Sequence, residues 1–143
     1  MENCAFGHTP WSITNAGHNP PLLIRDGLSP IALDKGGPVL GLLPGADYET
    51  GRVDLHIGDV LVLYTDGVVE GENPEGEEYS AKRLARIVGS HLQQHPSELI
   101  ETIYASIGDF RETTLLADDF TLVVLKRVAS ETRQQETRRQ MVE

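Results

Sequence analysis

Apolar and polar positions divide the chain into short strands first and helices later. Residues 12–14 read as a strand running into Asn15-Ala16-Gly17-His18-Asn19-Pro20-Pro21, where Gly and paired Pro exclude regular structure and predict a fixed loop. Residues 22–25 and 29–33 are apolar runs around Asp26-Gly27, a strong hairpin signal, so they predict an antiparallel pair. Residues 36–51 are rich in Gly and Pro around Val39-Leu40-Gly41-Leu42-Leu43. That composition predicts an ordered loop with its apolar side chains tucked inward.

Val53, Leu55 and Ile57 alternate with polar residues, as in a half-buried strand, and Gly58-Asp59 turns the chain into residues 60–64. That second run is continuously apolar, so both its faces should be covered. Beyond an acidic loop over residues 71–78, Ala81, Leu84, Ala85, Val88 and Leu92 recur at helical spacing, with Lys82, Arg83 and Arg86 expected to face out. Leu99, Ile100, Ile103, Tyr104, Ile107 and Phe110 define a second helix, with Pro96 near its first turn and a short join that makes the two an antiparallel hairpin. A last strand is expected over residues 120–125, opened by Asp118-Asp119. Several strands, two helices and a strand define an α+β fold with a largely antiparallel sheet.

The chain has 143 residues, enough for one domain, and its 39% apolar and 24% charged residues are globular in character. Residues 1–128 form that unit. Residues 129–143 are a polar tail, expected to be a frayed helix or disordered. A formal charge of -10 repels phosphate backbones and anionic lipid, so neither nucleic acid nor a membrane is an expected partner. No apolar run approaches the roughly 20 residues that a spanning helix needs. The lone Cys4 excludes an internal disulfide and agrees with a reducing, cytoplasmic location.

Each of the two strongest strands carries aspartate at one end. Tyr64-Thr65-Asp66-Gly67 closes one and Asp118-Asp119 opens the other, so antiparallel neighbours about 4.8 Å apart would bring both to one rim of the sheet. From position alone, these residues fit either turn formers or ligands of a cation that relieves the repulsion between carboxylates. Oxygen ligands without Cys or paired His suit Mg²⁺ or Mn²⁺ rather than Zn²⁺. Gly67 permits a tight turn and close approach. His18, in its stiff loop, fits a hydrogen-bonded anchor or an acid, base or ligand. The acidic stretch from Glu70 to Glu78 fits a solvated face better than a cation site.

Four blocks in order, Asn15-Ala16-Gly17-His18-Asn19-Pro20-Pro21-Leu22-Leu23, Gly41-Leu42-Leu43-Pro44, residues 58–70 around Tyr64-Thr65-Asp66-Gly67, and Asp118-Asp119-Phe120-Thr121 with the apolar run after it, resemble the SpoIIE branch of the PPM (protein phosphatase 2C-like) serine/threonine phosphatases. The resemblance covers about residues 11–127. It implies a β-sandwich flanked by helices, of which this chain carries the second half only. It also implies a bacterial cytoplasmic phosphatase in which two Mn²⁺ or Mg²⁺ ions hold a bridging water that attacks phosphoserine or phosphothreonine. By motif match Asp66 and Asp118 are the implied metal ligands, with Gly67, Asp119 and His18 near the site, and the catalytic group is the water rather than a side chain. The implied substrate is a phosphorylated anti-anti-sigma protein, and the implied output is control of a sigma factor.

Family domains also carry upstream Gly-Asp and Asp-Gly-x-Gly motifs that supply further aspartates, and neither has a counterpart here. Tyr79-Ser80-Ala81 also lacks the Gly common after that aromatic residue. The expectation is that this chain alone is inactive. The competing reading is a catalytically incomplete fragment or pseudophosphatase that serves as a binding module. With half a sandwich missing, the face carrying Leu61, Leu63, Leu122 and Val124 loses cover, and a homodimer through the exposed sheet is expected.

Overall fold

The computed structural model describes residues 8–112 and 120–129. Strand β1 (His8–Ile13) pairs antiparallel with β6 (Gly51–His56), and the short β2 (Asn15–Ala16) pairs with β5 (Gly36–Gly37), which is the parallel pair among otherwise antiparallel ones. Strands β3 (Leu22–Ile24), β4 (Ile31–Ala32), β7 (Val60–Tyr64) and β8 (Leu122–Lys126) form a four-stranded sheet in the order β4-β3-β7-β8. Helices α1 (Asp66–Val69), α2 (Ala81–Ser90) and α3 (Pro96–Arg111) complete the fold. The β3–β4 hairpin turns at Asp26-Gly27 as its dipeptide predicts, with Gly27 at φ 67°.

The four-stranded sheet separates two cores. Leu22, Ile24, Val60, Val62, Tyr64 and Val124 lie on one face, under Leu84, Val88, Leu99, Ile103 and Ile107 of α2 and α3. Leu23 and Leu61 lie on the other face and pack with Leu33 and Leu55, joined by Ile13 and Val53 from the β1–β6 pair. The result is a layer of helices, a sheet and a partial second layer of strands. This matches the expected α+β, largely antiparallel architecture.

Helices α2 and α3 begin with identifiable caps. Ser80, at φ 72°, accepts from Arg83 N, while Glu98 accepts from His95 N at 3.2 Å with Pro96 in the first turn of α3. Lys126 Nζ donates to the carbonyls of Leu92 and Gln94 at 2.6 and 2.9 Å, so β8 holds the connection between the helices in place.

Several expectations need correction. Val39, Leu40, Leu42 and Leu43 are exposed rather than tucked inward, because the segment is folded into successive turns that hold these side chains outward. Strand β1 starts at His8, before the expected segment, and β8 begins at Leu122 rather than at residue 120. Arg83 is half-buried, its guanidinium 4.2 Å from the Phe110 ring centre, where a cation meets the negative ring face. The uncovered sheet face includes the expected β7 positions Leu61 and Leu63 but different β8 residues. Leu122 and Val124 lie toward the helices, whereas Val123 and Leu125, opposite Leu63 and Leu61, are 42% and 46% exposed. Strand alternation separates the two sets. The expected tail from residue 130 onward lies outside the described residues.

Candidate functional site

The β7–β8 pair builds the rim on which the site depends. Its register runs from Val60↔Lys126 to Tyr64↔Leu122, and the ladder continues one residue further. Thr65 N donates to Thr121 O at 3.1 Å, and Thr121 N donates to the Thr65 hydroxyl oxygen at 2.9 Å. This clasp joins the two strand ends where β7 stops and α1 starts. Asp66 is the first residue of α1, and its exposed carboxylate accepts from Gly67 N at 2.9 Å. Tyr64 beneath it is buried, and burial pushes its phenol pKa up, so the hydroxyl stays neutral at physiological pH.

Antiparallel pairing therefore holds, and it brings the Asp66 end of β7 beside Phe120 and Thr121. Asp118 and Asp119, the other half of the expected rim, lie outside the described residues. Among the described residues no three His, Cys, Asp or Glu side chains converge on a point that would hold an ion. Asp66 itself fits a hard divalent cation, being an exposed carboxylate at a strand end with Gly67 beside it.

His18 approaches the same end of the sheet. β3 runs antiparallel to β7, with Leu22 opposite Val62, so the loop before β3 lies at the end where β7 delivers Thr65 and Asp66. Asn15 locks that loop: its Oδ1 accepts from His18 N and its Nδ2 donates to His18 O, both at 2.8 Å. The imidazole Nδ1 lies 3.1 Å from Asn19 O, a carbonyl that can only accept, and so donates to it. His18 and Thr65 border a cleft of about 570 Å³ walled by the apolar Trp11, Ile13, Leu63 and Val123, with Ser12, Asn15 and Thr121 among its polar lining.

The loop is held by close backbone contact that only glycine allows. A Cβ on Gly36 would lie 1.8 Å from Asn15 O, with backbone atoms on both sides of the conflict. Gly36→Ala is therefore expected to part β2 from β5, destabilising the chain by about 3 kcal/mol, the upper end for overpacking because backbone yields less than a side chain. Urea denaturation checks this, and an unchanged midpoint would contradict the contact.

Two structural residues at the other end of β7 escape motif reasoning. Asp59 is 5% exposed and accepts from Arg25 Nε at 2.9 Å and from His56 N at 2.7 Å, while Arg25 Nη2 also donates to the Asp54 carbonyl. Gly58-Asp59 reads as a turn in the sequence. The partner Arg25, 34 positions away, becomes visible only when β3 and β7 pair.

This geometry agrees with the fold of PP2C-type phosphatases. The SiaA PP2C domain of Pseudomonas aeruginosa superposes with a TM-score of 0.69 at 21% identity, over 82% of this chain and 46% of that one. The PP2C phosphatase domain of SpoIIE from Bacillus subtilis gives a TM-score of 0.65 at 22% identity, over 82% of this chain and 34% of that one. In sequence, the family model for stage II sporulation protein E matches residues 8–128, so the chain belongs to the SpoIIE family. The phosphoserine phosphatase RsbU of Bacillus subtilis is 30% identical over 118 residues, which are 82% of this chain and 35% of RsbU. The chain spans between 18% and 35% of the length of the curated relatives it matches.

Proposed function

We propose that this chain supplies the C-terminal portion of a metal-dependent protein serine/threonine phosphatase domain that acts in the cytoplasm on a phosphorylated regulator of the anti-anti-sigma type. The observation that carries the reading is the clasped β7–β8 rim, with the exposed carboxylate of Asp66 at its end. Membership of the SpoIIE family and identity to a phosphoserine phosphatase support it. Asp66 and Asp118 would hold Mn²⁺ or Mg²⁺, with Asp119, Gly67 and His18 nearby. When bound, two such ions supply charge neutralisation at the phosphoryl group and a hydroxide-like nucleophile. The chain's own contribution is to fix the carboxylate on a rigid strand end, through the Thr65–Thr121 bonds.

The test compares the parent protein with the 143-residue chain alone, using an aryl phosphate and a phosphoserine protein, with Mn²⁺ or with EDTA. The expected result is manganese-dependent turnover by the parent and background turnover by the chain. A parent without such turnover overturns the reading. The alternative is a protein-binding module, and the same inactive parent would favour it.

We also propose that isolated copies of the chain pair through the uncovered sheet face. Val123, Leu125 and Trp11 are each more than 40% exposed, and β8 ends the sheet with an unpaired outer edge among the described residues. Each 100 Å² of apolar surface buried contributes roughly 2.5 kcal/mol, and edge pairing of β8 with its copy adds backbone hydrogen bonds. Light scattering at high micromolar concentration should give a dimer mass that Leu125→Glu returns to monomer. A monomer at all concentrations excludes the pairing.

A further inference from the structure

The segment between β5 and β6 carries four large aliphatic side chains in five positions, and all face solvent: Val39 is 52% exposed, Leu40 74%, Leu42 67% and Leu43 58%. Leaving such a side chain in water forgoes roughly 1.5–3 kcal/mol relative to burying it, and contiguous apolar patches of this kind mark contact surfaces. The segment is not slack. Leu42 N donates to Val39 O at 3.2 Å and Ala46 N to Leu43 O at 3.3 Å, with Gly41 and Gly45 at φ 80° and 73°. Glu49 N donates to Gly36 O at 3.0 Å and closes the base. Two successive turns thus hold the aliphatic groups outward in a fixed shape.

Location selects the occupant. β2 and β5 run parallel, so residues 17–19 and 38–43 leave that pair at the same end. Gly17 lies so close under Val39 that a Cβ there would come within 2.5 Å of Val39 Cγ2. That end is the one where His18 and Thr65 border a common cleft and where β7 delivers Asp66. A molecule that seats a phosphorylated side chain at Asp66 therefore approaches beside this patch. An aryl phosphate or a short peptide is too small to cover four aliphatic side chains, whereas a folded protein is large enough. Asp34 precedes the patch and Asp47 follows it, Glu49 being paired with Lys35 at 2.8 Å, and the chain carries a net charge of -10, which favours a partner surface that is apolar at its centre and not acidic at its margin.

We infer that residues 39–43 are the docking surface for the folded phosphoprotein substrate, gripping an apolar patch next to its phosphorylated residue. The inference rests on the phosphatase reading above and assigns where that site gains its preference for a whole protein over a small ester. The experiment uses the full-length parent protein with Mn²⁺ and three probes: p-nitrophenyl phosphate, a phosphoserine hexapeptide, and a phosphorylated anti-anti-sigma protein from the same organism. The double variant Leu40→Ser/Leu42→Ser should lower kcat/KM for the folded phosphoprotein at least about 10-fold relative to the values for the ester and the hexapeptide, mainly through KM. Leu28→Ser, at a leucine 63% exposed in the β3–β4 turn at the opposite end of the sheet, should leave all three ratios unchanged.

Binding separates this inference from the phosphatase reading. Calorimetry with the phosphoprotein and an Asp66→Asn background should show the same loss of affinity on removing Leu40 and Leu42. Turnover of the ester with phosphoprotein kinetics and binding indifferent to the loop overturns the docking surface and leaves the phosphatase standing. Absence of any turnover, with binding that still depends on the loop, overturns the phosphatase and leaves the docking surface standing. Absence of both overturns both.

Discussion

Asp66→Asn is expected to lower manganese-dependent turnover by the parent protein at least about 100-fold while moving Tm by no more than about 2 °C. Loss of a group that merely orients a metal ligand already costs 10–100-fold, so loss of a ligand's charge should reach or pass the upper end. Stability should hardly change, because the side chain is exposed and the asparagine oxygen still accepts from Gly67 N. The measurement is kcat/KM on an aryl phosphate against Mn²⁺ concentration, with a melting curve of the same sample. Wild-type turnover at saturating Mn²⁺ would remove Asp66 from the metal site. A large fall in Tm would reassign it to the fold.

Asp59→Ala should have the largest effect on stability, about 3–5 kcal/mol, the range for deleting one partner of a buried ion pair. Arg25 keeps its bond to the Asp54 carbonyl but loses its counter-charge in a place where its side chain is only 16% exposed, and His56 N loses its acceptor. With total stabilities of about 5–15 kcal/mol usual for domains, such a loss leaves little in hand. Adding Arg25→Met to Asp59→Ala should recover part of it by removing the stranded charge. Chemical denaturation of the two single variants and the double variant measures the coupling, and strict additivity would show that the pair contributes nothing beyond its parts.

How far the sequence reveals the fold depends on the range of each contact. The β3–β4 hairpin is legible because Asp26-Gly27 is a local signal, and α2 and α3 are legible because their apolar residues repeat at the helical period. β7 is legible as covered on both faces, since helices lie on one side and Leu23, Leu33 and Leu55 on the other. The outward display at residues 39–43 is not legible, because Gly and Pro fix that the chain turns and not which way its side chains point. The parallel β2–β5 pair is two residues long and leaves no periodicity to detect. The helical turn at Asp66 is also brief, four residues.

At the candidate site, the Asp66 end of β7 follows from motif and strand order together, while Asp118 and Asp119 lie outside the described residues. His18 shows how a motif outruns its explanation. The sequence marks the stiff loop but not that Asn15 grips the His18 backbone at both its N–H and its carbonyl.

The Thr65–Thr121 clasp also bears on the order in which the chain acquires its shape. Its two residues are 56 positions apart, so forming it closes a loop whose entropic cost is roughly 3–4 kcal/mol before any fixed term. The β3–β4 hairpin and the two helices close far shorter loops and form on faster timescales. On the ribosome, a chain halted at the end of α3 already carries every residue of the hairpin and both helices, yet its rim stays open until residues 120–126 have emerged. The rim beside Asp66 is therefore among the last places to form, after the scaffold that carries it.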